Sequence, residues 1–240
     1  MSIYKVTVAV LNVLEVLRAR FFWGLEVGEK KIHWIAWKKI LVSHERGGLC
    51  IGSLFSFNRA LLFKWRWRFF NYPDALWVKV VMALHGSLRR EVNCTGHFSL
   101  WRNINKSNGN LKSKGVDLED FCQRIVRNGD TTRFWLDKWL GQYTIKDKFP
   151  RVYMIDPNKE ALISNRNSPD KLFIAFGRQP RSGATNAQWE ELCSMLGLQT
   201  FSTSKDYFVW ELASDGHFSV ASMRCLIDES LLEGSNGSTR

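Results

Sequence analysis

The spacing of apolar residues predicts a helix close to the start of the chain. Val10, Val13, Leu14, Leu17 and Phe21 follow the i, i+3, i+4, i+7 rule of an amphipathic helix. Such a stripe needs a surface to pack against, so we expect the chain to begin within a domain. Polar residues interrupt the apolar run, and no small-residue cleavage site follows it. We therefore expect an intracellular protein that is neither secreted nor bound to a membrane.

Further helices are predicted in the first half. A Gly-Gly turn at residues 47–48 precedes a helix over about residues 57–70, and a second helix follows over about residues 74–84. Strict alternation over residues 64–69 would equally suit a strand, but the flanking apolar residues and the length of the run favour the helix. The KKIHWIAWKKI segment suits a short helix or a strand. Its tryptophans, Trp34 and Trp37, either pack on the first helix or form a platform for stacking bases.

The second half combines helices with turn motifs. Leu118, Phe121, Cys122 and Ile125 mark a short helix. Asn-Gly at 128–129 and Asp-Gly at 215–216 predict β-hairpins. The predicted fold class is α+β, with a mainly helical first half and two short β-hairpins with helices in the second half. The predicted regions are a basic helical region (1–85), a polar basic loop with one embedded helical turn (86–116), a small α+β region with hairpins near 125–140 and 207–220 and helices over about 189–196 and 220–232 (117–232), and a disordered tail (233–240).

Charge is concentrated in the first half. The chain carries +11 overall, and residues 1–120 hold 19 Lys and Arg against 9 Asp and Glu. Such a field indicates an anionic partner, either nucleic acid or an acidic membrane surface, unless it is only a solvated basic surface. Cations that neutralise phosphates alternate with aromatic rings over residues 64–69, which favours nucleic acid. The candidate nucleic-acid-binding residues are Lys38, Lys39, Lys64, Arg66 and Arg68 for phosphates, with Trp65 and Trp67 stacking or buttressing. Helical spacing assigns Trp65 and Phe69 to a core stripe and leaves the three cations of residues 64–68 as the contacts.

No residue pattern predicts a catalytic or metal site. The five cysteines are widely spaced, which argues for a reducing compartment and against a disulfide framework. Cys94 and His97 are the nearest approach to a zinc pattern, but two further ligands at suitable spacing are missing. Asp137, between two tryptophans, is predicted to be a hydrogen-bonded structural carboxylate. We assign no catalytic residue and no metal ligand, so no cofactor is expected in this chain. Five widely spaced aspartates could meet in pairs in the folded chain, but their spacing does not specify a metal site. They are Asp130, Asp137, Asp147, Asp156 and Asp215.

Seven strings that occur in order along the chain together resemble one family. The strings are RARFFWG (18–24), KKIHWIAWKKI (30–40), GGLCIGSL (47–54), FNRALLFKWRWRF (57–69), LWVKVV (76–81), NGDTTRFWLDKWLG (128–141) and DGHFSVASMRCLID (215–228). With these strings, the sequence is similar to the C-terminal region of the reverse transcriptase polyprotein of plant non-LTR (LINE-type) retrotransposons, between the polymerase palm and the zinc-binding domain. One departure is Cys50, where the family's GGLGI pattern usually has glycine.

The resemblance implies a non-catalytic part of an RNA-directed DNA polymerase. The family's polymerase uses paired carboxylates and divalent metal ions, and this chain has no Asp-Asp pair. In the parent, residues 1–85 would be a thumb-like or connecting region that contacts the template and primer. The implied partners are RNA or DNA and the missing polymerase domain, and the implied location is the nucleus when the parent element functions. The alternative is a degenerate remnant with no specific binding or catalytic activity.

Overall fold

The fold is α+β, as predicted. A computed structural model describes residues 3–26, 34–85, 99–177 and 183–232 of the chain. Within these residues the chain is mainly helical, with one small antiparallel sheet of two strands. The elements are α1 (Val8–Phe22), α2 (Trp37–Leu41), α3 (Leu54–Asn71), α4 (Leu76–His85), α5 (Leu100–Lys112), β1 (Cys122–Ile125), α6 (Ile145–Lys148), α7 (Pro150–Ile155), α8 (Pro169–Phe176), α9 (Gly183–Gly197), β2 (Tyr207–Trp210) and α10 (Val220–Leu232).

The chain divides into two compact units. The first unit contains residues 1–122 and 210–240, and the second contains residues 123–209. The sequence-based regions were divided elsewhere, at residues 85 and 116. Residues 99–116, predicted as part of a loop with one helical turn, instead contain the 13-residue helix α5. The predicted tail at 233–240 lies outside the described residues.

Helix α3 is the centre of the first unit. The Ser53 side chain accepts a hydrogen bond from the Ser56 backbone N–H at 3.0 Å, which caps the start of this helix. Against α5, Leu62 packs with Ile104, and the Phe69 ring stacks on Trp101 with centroids 4.8 Å apart. On another side, Trp67 stacks on a ring that precedes α10, Phe218, at 5.7 Å. The predicted helix over residues 57–70 is therefore confirmed, with only one narrow side left open.

The loop before α3 has two demanding backbone positions. A Cβ on Gly48 would lie 2.2 Å from the Val42 carbonyl oxygen, so only glycine fits there. Cys50 has φ of +53° and is the one non-glycine residue with positive φ in the described part of the chain. The left-handed conformation costs an L-residue with a Cβ roughly 1–2 kcal/mol. The glycine that the resembling family usually has at this position would adopt it without that cost.

Helix α1 is confirmed, but its predicted stripe does not face the described core. Leu11 is its buried residue, at 5% exposure. The five stripe residues are instead exposed, between 45% for Leu14 and 87% for Phe21. The hydrophobic spacing thus predicts the helix correctly but predicts the wrong side of it to be buried. The reason is that valine and leucine occur around most of α1.

The second unit has its own aromatic core. Phe134, Trp135, Phe149 and Trp189 are buried there with aliphatic residues of α6 to α9. The Trp135 indole N–H donates to Asp156 Oδ2 at 2.7 Å, and the Trp139 indole N–H donates to the Phe134 carbonyl at 2.9 Å. Both bonds satisfy polar atoms that burial would otherwise leave without water.

The two predicted hairpins are wrong in their pairing. Strands β1 and β2 pair with each other, although about 80 residues separate them in the chain. The turns themselves occur: Gly129 and Gly216 have φ of +73° and +69°. The segment after Gly129, however, folds into successive turns in place of a strand. The helix predicted over 118–125 is also wrong, since a short 3-10 turn (Leu118–Phe121) leads into β1.

Candidate nucleic-acid interface

The cations and rings of residues 64–69 lie on two different sides of α3. Side chains four or three positions apart share one side of a helix, so Lys64, Trp65 and Arg68 lie together. All three are partly exposed. We call this set the open stripe. The other three residues of the block, Arg66, Trp67 and Phe69, are buried at 7%, 9% and 7% exposure.

Arg66 is engaged inside the protein. Its guanidinium forms an ion pair with Glu119 and donates a hydrogen bond to Asn105. Arg66 therefore lies in the interior of the first unit. The prediction that Arg66 contacts a phosphate is wrong. Its carboxylate partner, Glu119, is 53 residues away in the sequence, so a local residue pattern could not predict the pair.

Trp67 and Trp65 have different surroundings. Trp67 contacts Trp210 at 6.0 Å and stacks on Phe218 at 5.7 Å, so it belongs to the core and not to a surface platform. Trp65, which the helical spacing assigned to the core, is only half-buried. It meets Trp77 edge to face at 5.6 Å, and the Arg68 guanidinium lies 5.5 Å from its ring centre. Part of the Trp65 ring thus remains beside a cation.

A second group of cations lies on α2. Lys38 and Lys39 are both exposed. The loop that joins α2 to α3 is fixed by backbone hydrogen bonds, including Gly52 N–H to the Leu41 carbonyl at 3.1 Å. Because a helix rises 1.5 Å per residue, Lys64 lies roughly 15 Å along α3 from its start. Helix α2, which carries Lys38 and Lys39, therefore ends near the start of α3. The open stripe lies farther along α3.

The tryptophans of the KKIHWIAWKKI segment separate in the same way. Trp37 packs against Phe22 of α1 at 5.4 Å, as the packing alternative predicts. Trp34 is 99% exposed, as a stacking platform would require. His33 of the same segment lies outside the described residues.

Lys38, Lys39, Lys64 and Arg68 have no carboxylate partner among the described residues. This contrasts with Arg18, which pairs with Glu15 at 3.2 Å, and Lys112, which pairs with Asp117 at 2.6 Å. Cations without an acidic partner remain available to phosphates without first breaking an ion pair.

A cavity of about 820 Å³ lies in the first unit, between α1, α2 and the end of α10. Several polar side chains that line this cavity form hydrogen bonds within the protein. The Asp228 carboxylate accepts from the Ser53 N–H at 3.0 Å, the Ser53 hydroxyl at 2.7 Å and the Ser56 hydroxyl at 2.5 Å. Burial raises the pKa of Glu15, while Arg18 opposes that shift. Glu15 of α1 and Asp228 of α10 both accept hydrogen bonds from the start of α3 and so connect the three helices.

The five aspartates noted in the sequence likewise accept hydrogen bonds from other groups of the protein. Asp137 accepts from the Arg133 N–H at 2.8 Å and from the Arg133 and Arg124 guanidinium groups, which confirms its predicted structural role. Among residues 3–26, 34–85, 99–177 and 183–232, no three His, Cys, Asp or Glu side chains are grouped to hold a metal ion. Burial raises the pKa of Cys122, which keeps its thiol protonated. Cys94 and His97 lie outside the described residues.

The sequence patterns did not indicate the role of Asp206. Its carboxylate accepts from the Arg127 and Gly129 backbone N–H groups at 2.8 and 3.0 Å and from the Thr132 and Thr131 hydroxyls at 2.7 and 3.1 Å. Burial alone would raise the pKa of Asp206, but these bonds outweigh burial and lower it. No spacing rule joins Asp206 to a turn more than 70 residues earlier in the chain.

Comparison with known proteins gives two plant relatives. A "Putative ribonuclease H protein" of Arabidopsis thaliana is 27% identical over 232 residues, which cover 92% of this chain and 35% of that protein. An "Uncharacterized mitochondrial protein" of Arabidopsis thaliana is 28% identical over 144 residues, covering 58% of this chain and 89% of that protein. The chain thus spans about a third of the first relative's length. These similarities support a transposon-related origin.

Two other comparisons give no match. No protein-family model matches the sequence, and no solved structure matches the fold. No helix in the described part of the chain is long and apolar enough to cross a membrane.

Proposed function

We propose that this chain is a non-catalytic part of a retrotransposon RNA-directed DNA polymerase, and that its first unit binds the template or primer. The observation that carries the proposal is the open stripe of α3. Lys64 and Arg68 have no carboxylate partner in the described part of the chain, and they flank a half-buried ring, Trp65. Cations contact backbone phosphates while an aromatic face stacks on a base, which suits single-stranded nucleic acid.

Lys38 and Lys39 extend this interface at the start of α3. In the proposed parent, the chain would act beside the polymerase domain, which would supply the metal ions, and the location would be the nucleus. The transposon-related similarity and the seven family-like strings support this assignment. Arg66 and Trp67 do not take part directly, because both side chains are buried.

Salt dependence tests the proposal. Fluorescence anisotropy of labelled single-stranded RNA and DNA should be measured on the full chain between about 50 and 200 mM salt. Four phosphate contacts predict a slope of log K against log salt of about −3, since each contact on a single strand contributes about −0.7. The Lys64→Gln, Arg68→Gln double variant should flatten the slope by about 1.4.

The matched control is Lys112→Gln, because Lys112 is exposed but already paired with Asp117. It should leave the slope nearly unchanged. Melting curves of the double variant should lie close to those of the unmodified chain, since losing the partly exposed Arg68–Trp65 contact costs only about 0.5–1 kcal/mol. A flat salt response of the unmodified chain would contradict the proposal.

The second candidate is a degenerate remnant without specific binding. Cys50 favours it, because a residue at φ of +53° occupies a position where the family usually has glycine. A copy free from selection accumulates such substitutions. A cooperative thermal transition together with salt-dependent binding would rule this candidate out, and absence of both would support it.

A further inference from the structure

Arg59 is a buried cation without an acidic partner. It lies on α3 at 4% exposure. Its Nη1 donates to Asn58 Oδ1 at 3.1 Å, and its guanidinium carbon lies 4.7 Å from the Phe55 ring centre. No carboxylate of the described residues pairs with it. Burial lowers the pKa of Arg59, yet a guanidinium stays charged at neutral pH.

Lys5 is held close to Arg59 by the segment that precedes α1. The Val6 N–H donates to Asn58 Oδ1 at 3.2 Å, and Asn58 Nδ2 donates to the Tyr4 carbonyl at 3.1 Å. These two bonds fix the backbone on both sides of Lys5 against α3. Asn58 therefore contacts both the Lys5 segment and the Arg59 guanidinium.

A third cation, Lys106, comes from α5. Burial lowers the pKa of Lys5, and the positive charges of Arg59 and Lys106 lower it further. Lys5 lies in the segment before α1, Arg59 lies on α3, and Lys106 on α5 precedes Ser107, which lines the same small gap as Arg59. The positive charges of Arg59 and Lys106 both act on Lys5. Lys5 is half-buried and Lys106 is exposed, so the group opens to solvent on the side of the two lysines.

The neighbouring Arg66 shows what a structural arginine looks like in this unit. It lies two helical turns farther along the same side of α3 and is paired with Glu119. Buried charges in proteins are normally paired in this way, because an unpaired charge loses its hydration without compensation. The group at Arg59 lacks such a carboxylate and instead gathers two more cations. An anion from outside the chain would compensate the lost hydration of the buried Arg59 charge and would also reduce the repulsion between the cations.

We infer that Lys5, Arg59 and Lys106 form a phosphate-binding site. Arginine offers paired N–H donors that match phosphate oxygens, and the lysines add positive charge at the open side. The phosphate group belongs either to a nucleic-acid backbone or to a free phosphate. In its nucleic-acid form, the inference rests on the proposed function and adds a further phosphate-binding site to those of α2 and the open stripe. In its free-phosphate form, it is independent of that function.

The test uses the full chain and two probes. Inorganic phosphate is titrated at constant ionic strength while NMR records the lysine ε-CH₂ signals, and single-stranded RNA is titrated by anisotropy. The Lys5→Gln and Lys106→Gln variants should each weaken binding about tenfold, the usual effect of one charge-assisted hydrogen bond. Lys79→Gln, an exposed lysine on α4, is the control and should change binding less than about twofold. Arg59→Lys keeps the charge and tests the paired donor geometry.

The outcomes distinguish this site from the proposed function. Weaker RNA binding by Lys5→Gln and Lys106→Gln assigns the phosphate to a nucleic-acid backbone. Phosphate-dependent shifts of the Lys5 signal, with RNA binding absent or unaffected by the variants, assign a free phosphate and leave the site intact. The inference is overturned if phosphate leaves the Lys5 signal unchanged and the variants bind RNA as tightly as the unmodified chain. In that case, RNA binding that still depends on Lys64 and Arg68 preserves the proposed function.

Discussion

The second unit pairs several of its basic residues with carboxylates, whereas a group of cations in the first unit has no such partner among the described residues. In the second unit, Arg124 and Arg133 bind Asp137, Arg166 binds Asp156 at 3.3 Å, and Lys148 binds Glu191 at 2.9 Å. In the first unit, Arg59 and the cations of α2 and the open stripe have no carboxylate partner among the described residues. Several cations of the first unit thus lack a carboxylate partner, although Arg18, Arg66 and Lys112 of the same unit are paired.

Net charge alone would not have revealed this difference. The first unit holds 21 Lys and Arg against 14 Asp and Glu, and the second holds 13 against 9. Net charges of +7 and +4 are similar for units of these sizes. The position of each carboxylate decides which cations are available, because a paired cation must lose one partner before it gains another.

The largest expected effect concerns the buried pair of the second unit. Asp156→Ala should destabilise that unit by about 4 kcal/mol, because it leaves the buried Arg166 charge unpaired. It also removes the acceptor of the Trp135 indole N–H. Urea unfolding followed by hydrogen exchange of amides in residues 123–209 measures the loss.

Asp170→Ala is the matched control. Asp170 is exposed in the first turn of α8, where a carboxylate contributes at most about 1 kcal/mol through the helix dipole. If Asp156→Ala costs no more than Asp170→Ala, pairing does not stabilise the second unit and the contrast between the units fails.

Local patterns predicted α1, α3 and α10 but did not predict the pairing of the sheet. Helix α10 spans Val220–Leu232, the range that the spacing predicts, and α3 differs by a few residues at its start. Helical hydrogen bonds join residues four apart, so their evidence is contained in the local sequence. Strands β1 and β2 pair across about 80 residues, and Asn-Gly fixed the turn without fixing the partner strand.

The next effect concerns the carboxylate that organises the Asn-Gly turn. Asp206→Ala should destabilise the second unit by about 3 kcal/mol, since it leaves four donors without their charged acceptor. The pKa of Asp206 is lowered in the folded state. Its contribution is therefore present above the unfolded pKa of about 3.9 and is lost as pH falls through the folded value.

The same unfolding experiment, repeated between about pH 7 and pH 3, measures this loss. The unmodified chain should lose stability more steeply than Asp206→Ala as acid is added, because the variant has no carboxylate to protonate. Equal pH profiles would contradict the assignment of Asp206 as the stabilising group.

The candidate interface could be predicted only in part. The alternation over residues 64–69 correctly located a block of cations beside rings on α3. It did not separate Arg66, which finds Glu119, from Arg68, which lies over Trp65. That separation depends on tertiary neighbours far away in the chain. Arg59 was missed for the same reason, since its lack of a partner is a property of the folded unit.

The smallest expected effect concerns backbone strain, where the two units also differ. Every positive-φ residue described in the second unit is glycine, whereas the first unit places Cys50 at φ of +53°. Cys50→Gly should stabilise the chain by about 1 kcal/mol, because relief of left-handed strain exceeds the added entropy of the unfolded glycine. Cys193→Gly in α9 is the control of opposite sign: it should destabilise by about 1 kcal/mol, since glycine weakens a helix interior. Thermal unfolding of both variants measures the two signs, and destabilisation by Cys50→Gly would show that the Cys50 side chain contributes more through packing than its backbone costs.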